Sequence, residues 1–355
     1  MNKLGTYAVS VVLLCGILSG CSMAEPITTI TPSSAVTEST TGSAAGSTSE
    51  TTLETSETEP ERGHFEFKHK VMSSIFRDIM GDDMCEAYYS YVDAVMTGKD
   101  SFSVKSNDDY DWMLGQFPCC FFPVVDKYVE SDYGSGYKKG KGTFHYVTSR
   151  EEFEQKEAEF EKLVTDILNE NLRDDYSDFE KVLALYLYFA DNYTYDYKTL
   201  EQMETDPFVE LSPYRFLTEK TGICSECAPA FSYLLLEAGV DATVAGGPDH
   251  SWSYVTINGK NYHIDPTFAM SSGDDLSFLM MTDGQRELEG DFVRGDMTIA
   301  CHYKDEHNGE NYVADDDYFS TLWGCKFTSW DRENKIIYYA DQDGNSASLD
   351  YSSYG

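Results

Sequence analysis

The segment Thr221–Phe268 constrains this chain more than any other. It opens with a run headed by Cys224 in which Ala230, Phe231, Leu234, Leu235 and Ala238 recur at the spacing of one helix face, ending at Gly239. Two strand-like runs follow, Asp241–Ala245 and His250–Ile257, then the dipeptide Asn258-Gly259, then Asn261–Asp265. Asn-Gly between two β-prone runs predicts a tight hairpin turn. Such a hairpin sets His250 and Asp265 near matching ends of adjacent strands, with Cys224 at or just before a helix N-terminus.

A thiol, an imidazole and a carboxylate so arranged meet the requirements of Cys-His-Asp acyl transfer. Backbone N–H groups and the positive end of the helix dipole favour a thiolate, and a neighbouring imidazole can take its proton. A cysteine in a helical run is ordinarily a small core residue. Cys224 departs from that default because Gly222 precedes it, His250 and Asp265 follow at hairpin spacing, and Trp252 stands two residues past the histidine, where it is expected to wall a cleft. Two other readings compete. Cys224-x-x-Cys227 has the spacing of a thiol–disulfide exchange motif, but that reading leaves His250 and Asp265 without a task and lacks the thioredoxin strand order. A catalytically idle surface-binding module on the same scaffold is the other, since a fold alone never proves activity.

Four motifs occur in a telling order: Gly222-Ile223-Cys224, a helix ending Leu234-Leu235-Leu236-Glu237-Ala238-Gly239-Val240, Asp249-His250-Ser251-Trp252, and Tyr262-His263-Ile264-Asp265-Pro266-Thr267-Phe268. Together they resemble the transglutaminase-like core, a papain-related superfamily. The upstream stretch Asp178–Tyr197 is similar to that family's preceding helix and Tyr-Asp signature, so the likeness covers roughly residues 151–285. The resemblance implies an α+β fold, a Cys-bearing helix packed on an antiparallel sheet bearing His and Asp, with N-terminal and C-terminal extensions. It implies Cys224, His250 and Asp265 as a catalytic triad, Tyr195 at the border of the cleft, and amide acyl transfer through a thioester. Water would resolve the thioester in a peptidase or amidase, a lysine amine in a cross-linking transferase. Such a triad needs no metal and no organic cofactor. Two departures stand out: Glu226-Cys227-Ala228 where the family often has Gly-Tyr-Ala, and His250-Ser251-Trp252 where it has His-Ala-Trp. Cys227 is expected to point into the core, where the family usually places a larger side chain.

The organisation expected from the N-terminus is as follows. Residues 1–21 read as an export leader, with Lys3, an apolar stretch from Tyr7 to Leu18, and Leu18-Ser19-Gly20-Cys21 resembling a bacterial lipobox whose cysteine, Cys21, is lipidated. Residues 22–62 are dominated by Ser, Thr, Glu, Ala and Gly, too poor in large apolar side chains to offset their ordering entropy, and read as a disordered linker. As a flexible coil of about forty residues it would span roughly 35 Å. Residues 63–148 read as an N-terminal α/β subdomain, 149–290 as the catalytic core and 291–355 as a β-rich extension. The first of these holds a helical pattern over Phe76–Met96 with a break near Gly81, followed by aromatic, Gly and Pro punctuation. Helices are predicted over Ser149–Leu172 and Asp178–Asn192, and strands over Met297–Tyr303, Phe319–Trp330 and Lys335–Ala340, the last in a C-terminal hairpin. Phe278–Asp283 reads as a buried strand or helix start.

The formal net charge of −36 over 355 residues argues against nucleic acid and against an anionic membrane surface as partners. It keeps an exported protein soluble and would steer cationic, lysine-bearing substrates. The partners expected are a protein or peptide substrate, cell-wall peptides among the candidates, and the membrane through the lipid anchor, which places the protein outside the cytoplasm. Seven cysteines remain beyond Cys21, an odd number, so at least one thiol stays unpaired, Cys224 among them; Cys301 with Cys325 is a candidate link. Asp341-Gln342-Asp343-Gly344-Asn345 lacks a full calcium-loop ligand pattern and reads as a solvated turn. His64, His69, His145, His263, His302 and His307 show no spacing that marks a metal-ligand set.

Overall fold

The structure, a computed structural model, describes residues 62–354 apart from 133, 207–208, 248–249, 273–274, 290–296, 300–301 and 304–311. The expected leader, Cys21 and nearly all of the linker lie outside the described residues, as does Cys301.

Helices α1 (Ser74–Met80) and α2 (Asp82–Met96) are separated at Gly81, whose φ of +81° ends the first helix where the sequence pattern breaks. After strand β1 (Ser101–Ser103) come α3 (Asn107–Phe121) and α4 (Pro123–Tyr128). The punctuation expected at Phe117–Pro123 is therefore mostly helical. Pro123 occupies the first turn of α4, where its missing N–H costs nothing. Pro118 sits inside α3, and the local loss is offset by edge-on packing of Phe76 against Phe117 and Phe121, at 4.6 and 4.8 Å between ring centres. Strands β2 (Val129–Ser131), β3 (Tyr137–Lys138) and β4 (Lys141–Tyr146) complete a small antiparallel sheet with β1.

Helix α5 (Arg150–Asn171) starts where Ser149 accepts the Glu152 N–H at 3.1 Å, and α6 (Asp178–Asn192) starts on a reciprocal Ser177–Glu180 capping box. Strand β5 (Thr194–Tyr195), helices α7 (Tyr197–Met203) and α8 (Pro213–Glu219) and strand β6 (Thr221–Gly222) lead into α9 (Cys224–Glu237). The hairpin region forms strands β7 (Asp241–Gly246), β8 (Ser251–Ile257) and β9 (Lys260–Ile264). Asn258 and Gly259 both take positive φ, +54° and +73°, as the twisted two-residue turn requires. Helices α10 (Pro266–Ser272) and α11 (Asp283–Leu288) and strands β10 (Thr298–Ile299) and β11 (His302–Tyr303) follow. The central sheet runs β11-β10-β7-β8-β9. Strands β12 (Lys326–Asp331), β13 (Ile336–Ala340) and β14 (Ser346–Asp350) form a C-terminal meander, one strand more than a hairpin.

Helix α9 lies on β7 and β8 and is covered by α3, α6, α8 and α10, so all but one of its residues are buried. Its contact with the sheet is partly polar. The Ser232 hydroxyl reaches the Thr243 carbonyl at 3.0 Å, and the Ser253 hydroxyl reaches the Ala228 carbonyl at 3.1 Å. These small, mutually bonded side chains fix the helix on the strands at one register. A continuous apolar cluster extends from Val71 to Tyr354 and includes residues of all three expected segments.

Phe278–Asp283 is buried at Leu279, Met280 and Met281 and ends as a helix start, with Thr282 capping α11 at Asp283; it is not a strand, since Met280 has φ +53° and Met281 makes only an isolated bridge to His263. One expectation is corrected. In Phe319–Trp330 the first half is a short 3-10 turn over Ser320–Leu322, and Gly324 at φ +76° delays the strand to Lys326.

The C-terminal sheet is tied to the core through Glu180. Its fully buried carboxylate accepts from Lys335 Nζ at 2.6 Å, Tyr351 Oη at 3.0 Å and the Ser177 N–H at 2.7 Å. Burial pushes this acid up, but those donors outweigh it and hold it below the usual glutamate range. The stabilisation it contributes is thus complete above the unfolded-state pKa and is lost as pH falls through the lower, folded-state value. Glu180→Gln is expected to lower unfolding free energy by about 2 kcal/mol at neutral pH. In denaturant titrations repeated between neutral pH and the acid limb, the gap between the two proteins should close on acidification.

Candidate active site

Cys224 is the first residue of α9, and Ile223 in an extended conformation is the residue that turns the chain into the helix. The local sequence explains why the thiol sits there. Gly222 pairs with Tyr195 across the parallel β5–β6 contact. A Cβ at Gly222 would fall 2.6 Å from the Phe216 ring and 2.8 Å from Glu226 Oε2, so no larger residue fits between them without displacement. Glu226, in the first turn of α9 and wholly buried, accepts from the N–H groups of Ile223 at 3.2 Å and Ser212 at 3.0 Å, and from Arg215 Nε at 2.8 Å. Arg215 closes a two-pronged contact through its second nitrogen and also reaches Asp196 at 3.2 Å. Asp196 in turn caps α7 and donates its own N–H to the Gly222 carbonyl at 2.9 Å. The Asp196–Arg215–Glu226 chain thereby joins the Tyr-Asp signature, α8 and the start of the cysteine helix.

His250 immediately precedes β8 and Asp265 immediately follows β9, at the same end of the hairpin. His250 Nε2 is 2.6 Å from Asp265 Oδ2. Asp265 is completely buried; its other oxygen accepts the Thr267 N–H at 3.2 Å at the start of α10, and the Arg286 guanidinium stands 3.7 Å away. Asp265-Pro266 is thus a helix start with its capping carboxylate turned to a second use. Burial pushes the Asp265 acid up, while His250, Arg286 and the Thr267 N–H outweigh it and leave it below the ordinary carboxylate range. An ionised Asp265 can only accept, so His250 carries its proton on Nε2 and turns Nδ1 elsewhere.

That second nitrogen serves Cys224, which hydrogen-bonds the His250 ring and the Ser251 backbone N–H. Burial alone would raise the thiol pKa and the Asp265 charge adds to it, but the His250 charge and hydrogen bond and the Ser251 N–H prevail, so the thiol lies below its usual range. Cys224 and His250 are each 8% exposed, so both are largely shielded from water.

The structure therefore brings Cys224, His250 and Asp265 together. Tyr195 lies half-buried on the strand beside Gly222, two residues before the thiol, with its ring edge-on to Tyr197 at 4.9 Å. Trp252 is displaced from the expected role of cleft wall. It has no exposed surface and lies behind His250, nearly parallel to the imidazole at 6.1 Å, because a residue two past His250 on a strand keeps the same face but recedes into the sheet. Its indole N–H donates to His263 Nδ1 at 2.8 Å, which leaves the His263 Nε2–H to donate to Asp283 at 2.9 Å. Arg286 lies over the Trp252 ring at 4.3 Å. The Phe268 ring also packs on His250, 5.0 Å between ring centres and tilted by 43°.

Arg215, Glu226, His263, Asp283 and Arg286 escaped the sequence reading. Only Glu226 left a visible trace, as an acid in the first turn of an otherwise apolar helix. Cys227 is fully buried in the apolar cluster, and burial drives its thiol well above the ordinary range, opposite to Cys224. Cys85, Cys224, Cys227 and Cys325 are free thiols; Cys325 donates to the Thr321 carbonyl at 3.3 Å, and its candidate partner Cys301 lies outside the described residues. Asp341 closes its turn on itself by accepting the N–H groups of Asp343 and Asn345 at 3.0 and 2.8 Å.

With this geometry in view, comparison with known proteins is informative at the level of the domain. Residues 165–274 match the Transglutaminase-like superfamily model. Among solved structures, a candidate cysteine protease from Cytophaga hutchinsonii is similar at 23% identity, over 24% of this chain and 30% of that one, with a TM-score of 0.20. A structure described as a TGase is similar at 17% identity, over 41% of this chain and 46% of that one, with a TM-score of 0.26. This chain thus spans less than half the length of either. No curated protein matches the sequence. Residues 165–274 are thus similar to the transglutaminase-like superfamily, and the fold is α+β with additional structure on both sides of that stretch.

Alkylation rates measure the thiol directly. Cys224 should react fastest of all cysteines near neutral pH, mapped by peptide mass spectrometry. In His250→Ala its rate–pH profile should move upward, cutting the rate at pH 7 by on the order of tenfold or more. Even labelling across the cysteines would contradict an activated thiolate.

Proposed function

We propose that the protein is a membrane-anchored, extracytoplasmic enzyme that carries out amide acyl transfer through a thioester on Cys224. The observation that carries this reading is the His250 imidazole, bonded through Nε2 to the buried Asp265 and through its other nitrogen to Cys224. In the first step His250 Nδ1 holds the thiol proton, and the sulfur attacks the amide carbonyl carbon. The first N–H groups of α9 face the developing oxyanion. As the tetrahedral intermediate collapses, the C–N bond breaks and His250 returns the proton to the departing nitrogen. The thioester remains on Cys224. Water or an amine then attacks it, His250 takes the incoming proton, and the C–S bond breaks with the proton returned to sulfur. Water makes the protein a peptidase or amidase; a lysine amine makes it a cross-linking transferase. Asp265 acts by keeping the proton on Nε2 and by stabilising the imidazolium.

The burial of Cys227 and the opposite displacements of the two thiol pKa values favour acyl transfer over exchange between Cys224 and Cys227. The substrates that fit are protein or peptide amides, among them cell-wall peptides, and the strong negative charge favours those carrying cations.

Turnover of glutamine-bearing peptides, followed as released ammonia with and without an added primary amine, tests the reaction. Cys224→Ala and His250→Ala should each abolish it, and Asp265→Asn should cost on the order of a hundredfold or more in kcat. Unchanged turnover in Cys224→Ala would refute the proposal. The anchoring is tested separately by fractionation: the protein should stay with membranes, and Cys21→Ala should release it. Equal distribution of the two forms would refute the lipid anchor and leave the chemistry standing.

A further inference from the structure

The extended arm that leads from the linker into the folded protein crosses α5 and the end of α9. The N–H of Phe65 donates to Asn169 Oδ1 at 2.6 Å and that of Lys68 donates to Glu237 Oε2 at 2.9 Å. Directly after these contacts, His69 is set against two acids one turn apart on α5. Its Nδ1 lies 3.6 Å from Glu157 Oε1 and its Nε2 lies 3.4 Å from Glu161 Oε1. His69, Glu157 and Glu161 can each offer one donor atom such that all three lie within 4.8 Å of one another.

The sequence gives no hint of this grouping, because His69 is far from α5 along the chain and the two glutamates look like ordinary members of a charged helix. The geometry is unlike that of a satisfied ion-pair clamp. Glu157 is only 5% exposed, yet its Oε1 receives no hydrogen bond, and the buried Nδ1 of His69 makes none. A buried carboxylate oxygen without a donor is costly, and it is aimed at an equally unsatisfied nitrogen. The 3.6 Å between His69 Nδ1 and Glu157 Oε1 is long for a hydrogen bond but near the spacing of two ligands on one ion, since donors about 2.0–2.1 Å from a tetrahedral zinc stand about 3.3–3.4 Å apart, and one donor atom from each of the three residues lies within 4.8 Å of the others. Phe67 and Phe122, with ring centres 5.1 and 6.1 Å from the imidazole, hold His69 in place. The side chains of His69 and Glu161 are 34% and 32% exposed, so an ion can enter from solvent and water can complete its shell.

We propose that His69, Glu157 and Glu161 form a binding site for one divalent cation of the zinc type, which fastens the N-terminal arm to α5. One imidazole nitrogen and two carboxylates make a borderline nitrogen–oxygen ligand set, suited to zinc or cobalt(II). The site is separate from Cys224 and takes no part in the acyl-transfer chemistry.

The test uses the full chain carrying Cys224→Ala, so that the reactive thiol cannot supply a ligand. Isothermal titration with Zn²⁺ should show about one equivalent bound, and Co²⁺ should give d–d absorption without a thiolate charge-transfer band. Added Zn²⁺ should raise the melting temperature. Glu157→Gln or His69→Gln in this background should weaken Zn²⁺ binding at least tenfold and remove the thermal shift, with the near-ultraviolet circular dichroism unchanged. Should either variant misfold, Glu161→Gln, on the more exposed side of the site, reads the same ligand set. Absence of Zn²⁺ uptake, uptake unaffected by these substitutions, or a thiolate-to-cobalt band would each overturn the proposal.

Discussion

Much of this structure follows from placing an ionised carboxylate where no water reaches it. Asp265 has no exposed surface, and a charge there persists only if nearby donors replace its hydration. Three do so: the His250 Nε2–H, the Thr267 N–H at the head of α10, and the Arg286 guanidinium. Each brings a piece of the fold. His250 requires the β8–β9 hairpin in its observed register, Thr267 requires a helix starting directly after β9, and Arg286 requires α11 to lie against that helix and strand. Satisfying the charge also sets the chemistry, since an imidazole donating to Asp265 must present its other nitrogen to Cys224.

Behind this arrangement stands a second buried relay. Trp252 lies under His250, donates to His263, and is capped by Arg286, while His263 bonds Asp283. The imidazole ring thus packs against both Trp252 and Phe268, and each of these is held by neighbours of its own. The start of the cysteine helix is held by a separate ionic chain, Asp196–Arg215–Glu226, which buries one carboxylate completely and grips both polar groups of the Gly222–Ile223 peptide. Cys224 and His250 thus stand on independently anchored elements, which suits the juxtaposition that the proposed reaction needs.

How much of this was legible beforehand depended on whether local rules governed the residue. Helices α5 and α6 were readable because Ser149 and Ser177 cap them and their apolar spacing is regular. The β8–β9 turn was readable because Asn258-Gly259 suits few other conformations. The juxtaposition of Cys224, His250 and Asp265 was readable because they sit at the ends of such elements. Trp252 was misplaced, because strand alternation tells which face a side chain takes but not whether that face is open. The segment around Pro118 misled for a related reason: aromatic packing there overrides a helix-breaking residue. Arg215, Arg286 and His69 gave no local signal at all. Their partners are remote in sequence, and long-range ionic contacts have no period.

The account turns on a covalent bond to a single sulfur, so the most direct measurement is the intact mass of the protein after acid quench during reaction with a glutamine-bearing peptide. The expected result is a transient species heavier by the peptide acyl group, mapped to Cys224, that disappears faster when a primary amine is added if the transferase branch operates and is lost to water otherwise. If peptide is consumed while Cys224 stays unmodified at every time point, with an adduct forming on Cys227 or on none of the cysteines, the thioester mechanism is wrong.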